Sequence, residues 1–245
     1  MLLKNRTVLV TGVGKGIGKA ILLNAAKNGA FVYGITRSKK DLVYYKNIKN
    51  VKIFHGDVTK SKDVKQIFYH AKKYNHNITG LVNNAGIRLR KKFLQISKID
   101  LQNVFENNFF SAFFIIQIFL NFSKENSKLS IVNIGSIVGK LGFSELSAYA
   151  SSKAALNALS KCLATESLNK KFRINTINPG FVKTSYFQKF KKNNKKLYEW
   201  TISRIPAGRW GEAEEVANLA IFLLSSNSEY INGEDISIDG GWTNA

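Results

Sequence analysis

Cysteine occurs once, at Cys162, so an intrachain disulfide is impossible and a metal site built on four cysteines is excluded by counting. No metal is expected, and the expected compartment is reducing and cytoplasmic. Proline occurs only at Pro179 and Pro206, and no proline-rich or low-complexity block interrupts the chain, which reads as one unit over 1–245. Long apolar runs are missing too. The most membrane-like stretch, Phe109 to Leu120, is broken by Ser111 and Gln117 and falls short of the roughly 20 residues a spanning helix needs. No basic-then-apolar segment is visible near the start, so a soluble protein without a membrane partner is expected.

Acidic residues are scarce, 16 against 37 Lys and Arg, and the formal net charge is +21. Such a balance is a first clue to a nucleic-acid partner. Yet 30 of the basic residues are Lys and only 7 are Arg, whereas proteins that read bases and phosphates lean on the guanidinium fork. Lys, Asn, Ile and Phe, all abundant here, have codons rich in A and T, so drift in base composition accounts for the same excess. No nucleic-acid partner is expected. What the charge does favour is long-range steering of acidic partners.

What is present is 44% apolar and 12% aromatic, ample for a buried core. Short apolar runs alternate with longer segments of helical period, the pattern of βα units in a parallel sheet. The spacing predicts strands at Arg6–Thr11, Phe31–Thr36, Val51–His55, Thr79–Asn83, Leu129–Ile134, Phe172–Ile177 and Asp235–Asp239, and a first helix over Ile17–Asn28 closed by Gly29. The fold class is therefore α/β, a doubly wound Rossmann-type parallel sheet of about seven strands. Asp100–Phe122 and Ala148–Asn169 read as helices with more apolar surface than one side of a sheet needs, either a thick core or a subunit interface. The lysine-rich run Gln188–Lys196 reads as a solvated loop or mobile lid.

Three features carry chemistry. The first strand runs into Thr11-Gly12-Val13-Gly14-Lys15-Gly16-Ile17-Gly18, where glycines permit a tight turn and let a pyrophosphate approach backbone N–H groups at a helix start. The second strand ends Ile35-Thr36-Arg37-Ser38 with no carboxylate before Asp41, placed in the following helix. Arg37, with Lys15 on the glycine loop, therefore favours the extra phosphate of NADP over NAD. Third, Tyr149 and Lys153 lie four residues apart on a predicted helix, a phenol beside an ammonium that would favour phenolate. Tyr45 with Lys49 and Tyr69 with Lys73 repeat that spacing, but only the pair at 149 follows a strand exit, Ile134-Gly135-Ser136, that brings a hydroxyl to the same sheet edge.

These residues resemble one family over essentially the whole chain, the short-chain dehydrogenases/reductases. Thr11 to Gly18 is similar to the family's T-G-x-x-x-G-x-G, Asn83-Asn84-Ala85-Gly86 to its N-N-A-G, and Tyr149 with Lys153 to its Y-x-x-x-K. Ser136 fits the family serine, Asn108 the helix asparagine with Asn107 as a rival, Asn178-Pro179-Gly180 with Thr184 the P-G-x-x-x-T segment, and Asp239-Gly240-Gly241 the C-terminal turn. The resemblance implies NADPH/NADP+ as cofactor and Tyr149 as general acid in carbonyl reduction. It gives Lys153 to the nicotinamide ribose and the phenol's pKa, Ser136 to the reacting oxygen, and Asn108 to a relay water. Thr11, Gly12, Gly16, Ile17 and Gly18 would form the pyrophosphate turn. Asp57 and Val58 would meet the adenine, and Asn83, Ala85 and Gly86 the adenosine side. Pro179, Gly180, Val182 and Thr184 would also line the cofactor.

Within the family, Ile134–Ala155 and Arg204–Gly241 look like 3-oxoacyl-[acyl carrier protein] reductases, and nearly as much like sugar, polyol and small-carbonyl reductases. Lys124, Lys128, Lys170 and Lys171 would receive an acidic carrier. Trp242 and the segment Arg204 to Gly211 lean toward sugar-acid dehydrogenases, and Arg88, Arg90, Lys91 and Lys92 could hold an anionic substrate. The expected partners are a small carbonyl compound or a carrier thioester, and further copies of the chain in a homodimer or homotetramer. A non-enzymatic nucleic-acid-binding or scaffold role is the contrasting reading, separated by whether the protein binds NADPH.

Overall fold

A parallel strand covered on both faces is apolar along its whole length, and β1 (Thr7–Thr11) is buried at every position. In the computed structural model, which describes residues 1–167, 172–184 and 187–245, it is followed by α1 (Gly16–Lys27), β2 (Phe31–Thr36), α2 (Lys39–Tyr45), β3 (Val51–His55), α3 (Ser61–Lys73) and β4 (Ile78–Asn83). Then come α4 (Lys98–Phe105), α5 (Ser111–Phe122), β5 (Leu129–Ile134), α6 (Ser147–Glu166) and β6 (Phe172–Pro179). Two short helices, α7 (Phe187–Asn193) and α8 (Lys195–Arg204), precede α9 (Ala213–Leu224) and the last strand, β7 (Asp235–Ile238). Among the described residues seven strands form one parallel sheet in the order β3-β2-β1-β4-β5-β6-β7. The order reverses between β1 and β4, and ligands of such sheets bind in the crevice at the carboxyl ends of those strands.

Alternation along β1 feeds two cores. Val8 and Val10 pack with Ile21 and Leu22 of α1 and Val216 and Leu223 of α9 on one face. Leu9 packs with Ile67 and Phe68 of α3 and Ile115 and Phe119 of α5 on the other. Three of the seven expected strands carry the expected bounds, and the others differ by one or two residues. Gly29, at φ +93°, closes α1, in the left-handed conformation that favours glycine after a helix.

Two expectations are corrected. The lysine-rich run is helical rather than a loop, because Phe187, Phe190, Leu197 and Trp200 supply an apolar side that lines a cavity while Lys191, Lys192, Lys195 and Lys196 are exposed. The stretch Phe109 to Leu120 belongs to a longer helix, Lys98–Phe122. Its 25 residues are long and apolar enough to cross a membrane by length and composition, but half of the apolar window is buried within the fold. A Ser97–Asp100 capping box starts it, α5 packs on β4 and α3, and a π turn at Glu106–Phe110 interrupts it. The helix therefore reads as part of the core.

Candidate active site

The exit of β1 is laced to the exit of β4. Thr11 Oγ1 accepts from the backbone N–H groups of Asn84 (2.9 Å) and Ala85 (3.0 Å), while Asn84 Nδ2 donates to the carbonyls of Thr11 (2.9 Å) and Gly12 (3.0 Å). That close approach requires glycine at two places. Gly12 sits at φ +70° with Ala85 Cα 2.8 Å from where a Cβ would stand, and a Cβ on Gly18 would collide with the Asn84 side chain and the Gly12 carbonyl. Tyr45, fully buried at the end of α2, donates from its hydroxyl to Val13 O (2.6 Å) and fixes the turn from below.

A groove of about 560 Å3 opens over this turn, with Lys15, Arg37, Val58, Ala85 and Gly86 in its walls. Neither Lys15 nor Arg37 makes a side-chain hydrogen bond or ion pair with another described residue. Asp41 stands in the helix after β2, as expected, yet it also reaches the groove. The short link after β2 brings the first turn of α2 back over the loop, so Asp41 lines the groove, faces Gly14 and accepts from Thr36 Oγ1 at 2.5 Å. Asp57 folds back on Thr59, accepting from its N–H (3.0 Å) and hydroxyl (2.9 Å). Burial would raise its pKa, but those bonds, with Arg37 and Lys60, outweigh burial and lower it. The Asn83 carboxamide is turned between β4 and β5, donating to Asn133 at 2.9 Å, so Asn84 rather than Asn83 presents its side chain to the groove.

The groove shares Lys15, Asn84 and Gly86 with a second cavity of about 680 Å3. Ser136, Tyr149 and Lys153 converge there, from the exit of β5 and the first two turns of α6, together with Ile17, Pro179, Gly180, Val182 and Thr184. Burial raises the pKa of the Tyr149 phenol, against the pull of the Arg88 guanidinium and a hydrogen bond with Ser136, both of which favour phenolate. Lys153, almost fully buried, donates to Ile134 O at 2.7 Å, with Nζ 5.9 Å from the Tyr149 ring centre. Burial brings its pKa down to about 8. The backbone N–H of Ser136 donates to Asn178 Oδ1 at 3.0 Å, which fixes where the serine stands.

Asn108, in the π turn, clamps the loop after β4 to α6. Its Oδ1 accepts from Ile87 N (2.7 Å), and its Nδ2 donates to Ile87 O (2.9 Å) and Ser152 Oγ (3.0 Å). Asn107 donates back to Asn103 O (2.9 Å) and lines the groove. The decoy tyrosines stand elsewhere. Lys49 lies beyond the end of α2, so Tyr45 has no helical partner there, and Tyr69 is exposed on α3.

Sequence reasoning missed Asp41, Asn178 and Asn84 as site residues. It also missed an aromatic wall in which Phe187 and Phe190 lie 5.1 Å from Trp210, the whole facing Tyr149 across the cavity. For Asn84, the doubled asparagine of the motif was the available signal.

The family model described as "Enoyl-(Acyl carrier protein) reductase" matches residues 12–243. A 3-oxoacyl-[acyl-carrier-protein] reductase of Thermotoga maritima is 34% identical, over 98% of this chain and 99% of that protein. The 2-dehydro-3-deoxy-D-gluconate 5-dehydrogenase of Bacillus subtilis is 33% identical, over 98% and 95%. A crystal structure from Agrobacterium tumefaciens, described as "a putative gluconate dehydrogenase", superposes with a TM-score of 0.90 at 30% identity, over 99% of this chain and 98% of that one. A glycine-rich turn at a Rossmann switch point, a Ser-Tyr-Lys set on the adjoining cavity and these relatives agree: the chain belongs to the short-chain dehydrogenase/reductase family of oxidoreductases, which use nicotinamide cofactors.

Proposed function

We propose that residues 1–245 form one catalytic unit that reduces a ketone to a secondary alcohol with NADPH. The observation that carries this is the convergence of Ser136, Tyr149 and Lys153 on a cavity continuous with the glycine-loop groove. A dinucleotide fits that groove by the chemistry of its walls. The loop has no side chain where a pyrophosphate must approach, and the cations Lys15 and Arg37, which make no side-chain hydrogen bond or ion pair with another described residue, suit the 2′-phosphate even with Asp41 engaged by Thr36. Thr11, Gly12, Gly16, Ile17 and Gly18 would hold the pyrophosphate, with Asp57, Val58, Ala85 and Gly86 on the adenosine side. Pro179, Gly180, Val182 and Thr184 would complete the other end.

When bound, NADPH supplies the hydride. Two neighbouring hydroxyls, Ser136 and Tyr149, suit a carbonyl oxygen better than a carbon–carbon double bond. With its pKa raised by burial, the phenol keeps its proton at neutral pH and can give it to the oxygen as negative charge develops. The Lys153 ammonium would stabilise the phenolate that remains and would meet the nicotinamide ribose. Asn108 holds the loop beside the reacting atoms. Its side chain is fully engaged, so a relay water would be held by its backbone.

The substrate reading that fits the cavity is a small carbonyl compound. Of the lysines expected to receive a carrier, Lys124 and Lys128 stand at the amino end of β5, across the sheet from the cavity. Lys170 and Lys171 lie outside the described residues. The carrier-thioester reading stands second, supported by the relatives bearing that name and by the net charge of +21. Assembly as a homodimer or homotetramer is part of the proposal, because Phe110 and Phe114 are exposed on the Lys98–Phe122 helix and leave an apolar face uncovered. So is a cytoplasmic setting, suited to the free and exposed Cys162. The test is NADPH oxidation against acetoacetyl thioesters, keto-sugars, keto-acids and diketones. Turnover of one class is expected, and oxidation of NADPH by none of them would contradict the reading.

A further inference from the structure

The catalytic cavity is electropositive by construction. Lys15, Arg88, Arg90 and Lys153 line it, and none of the described residues that line it is Asp or Glu. Three of these cations are accounted for. Lys153 is bonded to Ile134 O, Arg90 is paired through Nε with Glu145 at 2.8 Å, and Lys15 stands where the cavity joins the glycine-loop groove. Of the other cations after N-N-A-G, Lys91 is paired with Asp100 at 2.7 Å, and Lys92 does not line the cavity. Arg88 lines the cavity together with the catalytic hydroxyls and makes no hydrogen bond or ion pair with another described residue. A guanidinium at the mouth of a cavity without carboxylates offers two parallel donors to an anion.

We infer that Arg88 is the binding residue for a substrate carboxylate, so that the ketone reduced at Tyr149 belongs to a short keto acid. The inference rests on the proposed reaction and narrows its substrate class. Reach supports it: Arg88, Ser136 and Tyr149 line one cavity of about 680 Å3, so an anion held at Arg88 and a ketone at Tyr149 can belong to one small molecule. A carrier's phosphate, set off from its ketone by the whole pantetheine arm, does not meet that spacing. The aromatic wall of Phe187, Trp200 and Trp210 would cover the carbon chain between the two ends.

The test is calorimetric titration of the NADPH-loaded protein with D-gluconate, D-sorbitol and sorbitol 6-phosphate, polyols that NADPH cannot reduce. Gluconate should bind at least about tenfold more tightly than sorbitol to the natural protein, the scale expected of a charge-assisted pair. Arg88→Gln should bring that ratio within about twofold, Arg88→Lys should restore part of it, and Arg90→Gln should leave it unchanged. A ratio near one in the natural protein, no gluconate binding at millimolar concentration, or a ratio untouched by Arg88→Gln would overturn the inference. Preference for sorbitol 6-phosphate over gluconate would overturn the carboxylate in favour of a phosphate. Since no turnover is read, a failed assignment of Tyr149 would leave this result standing, and the reverse also holds.

Discussion

The two edges of the sheet treat their guanidinium groups in opposite ways. At the amino edge, Arg6 donates to Thr79 O (2.7 Å) and Ser130 Oγ (2.8 Å), and Arg173 to Leu223 O (3.0 Å) and Ser225 O (2.9 Å), tying the end of α9 to the strands. Burial and the nearby Arg173 lower the Arg6 pKa to about 10, and the group stays charged at neutral pH. At the carboxyl edge Arg37 and Arg88 stand over cavities with no such partners. A cation bound to backbone carbonyls serves the fold, whereas one kept free beside a glycine loop or a phenol is available to a ligand. Residue type alone does not separate the two.

Breaking the amino edge should cost stability and leave chemistry intact. Arg173→Ala removes charge-assisted hydrogen bonds to the carbonyls of Leu223, Ser225 and Ile231, which keep Ser228 and Asn175 as donors, and should lower unfolding free energy by about 3 kcal/mol in urea, with KM for NADPH unchanged. A shift in KM instead would blur the distinction. At the carboxyl edge Lys153 has a folded pKa of about 8, below its ordinary 10.5, so the unfolded chain binds more protons between those values. The cofactor-free protein should therefore gain stability as pH rises from about 8 to 10.5, on the order of 3 kcal/mol in total. Lys153→Met should lack that rise, be more stable at pH 7 and lose turnover. Urea titrations across that range decide it, and a flat profile in the natural protein would contradict the burial argument.

Two smaller effects sharpen the comparison. Arg37→Asp should shift the ratio of NADPH to NADH affinity by about a hundredfold toward NADH, read from paired titrations, because a cation that can pair with the 2′-phosphate gives way to a repelling charge. An unchanged ratio would mean that Arg37 is no more than surface charge. Tyr45→Phe removes only the hydroxyl that holds Val13 O and should weaken NADPH binding a few-fold, about 1 kcal/mol, while Tyr69→Phe should change nothing.

Much of this was legible in the chain because parallel strands and glycine turns leave local marks. Alternation of apolar runs and helical period gave the strands to within two residues, and the glycine loop and Tyr149 with Lys153 needed only spacing and a strand exit. The parts that escaped depend on distant segments meeting. Asp41 enters the groove because α2 folds back over Gly14, Asn178 meets Ser136 from the neighbouring strand β6, and Trp210 joins Phe187 through the connection before α9. Tyr45, a decoy by spacing, supports the glycine loop for the same reason. Charge pairing was equally hidden. Nothing in Arg88 to Lys92 says which cation is neutralised until Glu145 and Asp100 arrive from elsewhere in the chain.

The central claim is that Tyr149 delivers the proton, and Tyr149→Phe tests it most directly, since the ring and its packing are kept and one hydroxyl is lost. Turnover and NADPH affinity should be measured on the same preparation. Turnover should fall by at least about a hundredfold, the scale of losing a general acid, with NADPH affinity unchanged. A Tyr149→Phe protein that still reduces the ketone at the natural rate would contradict the account.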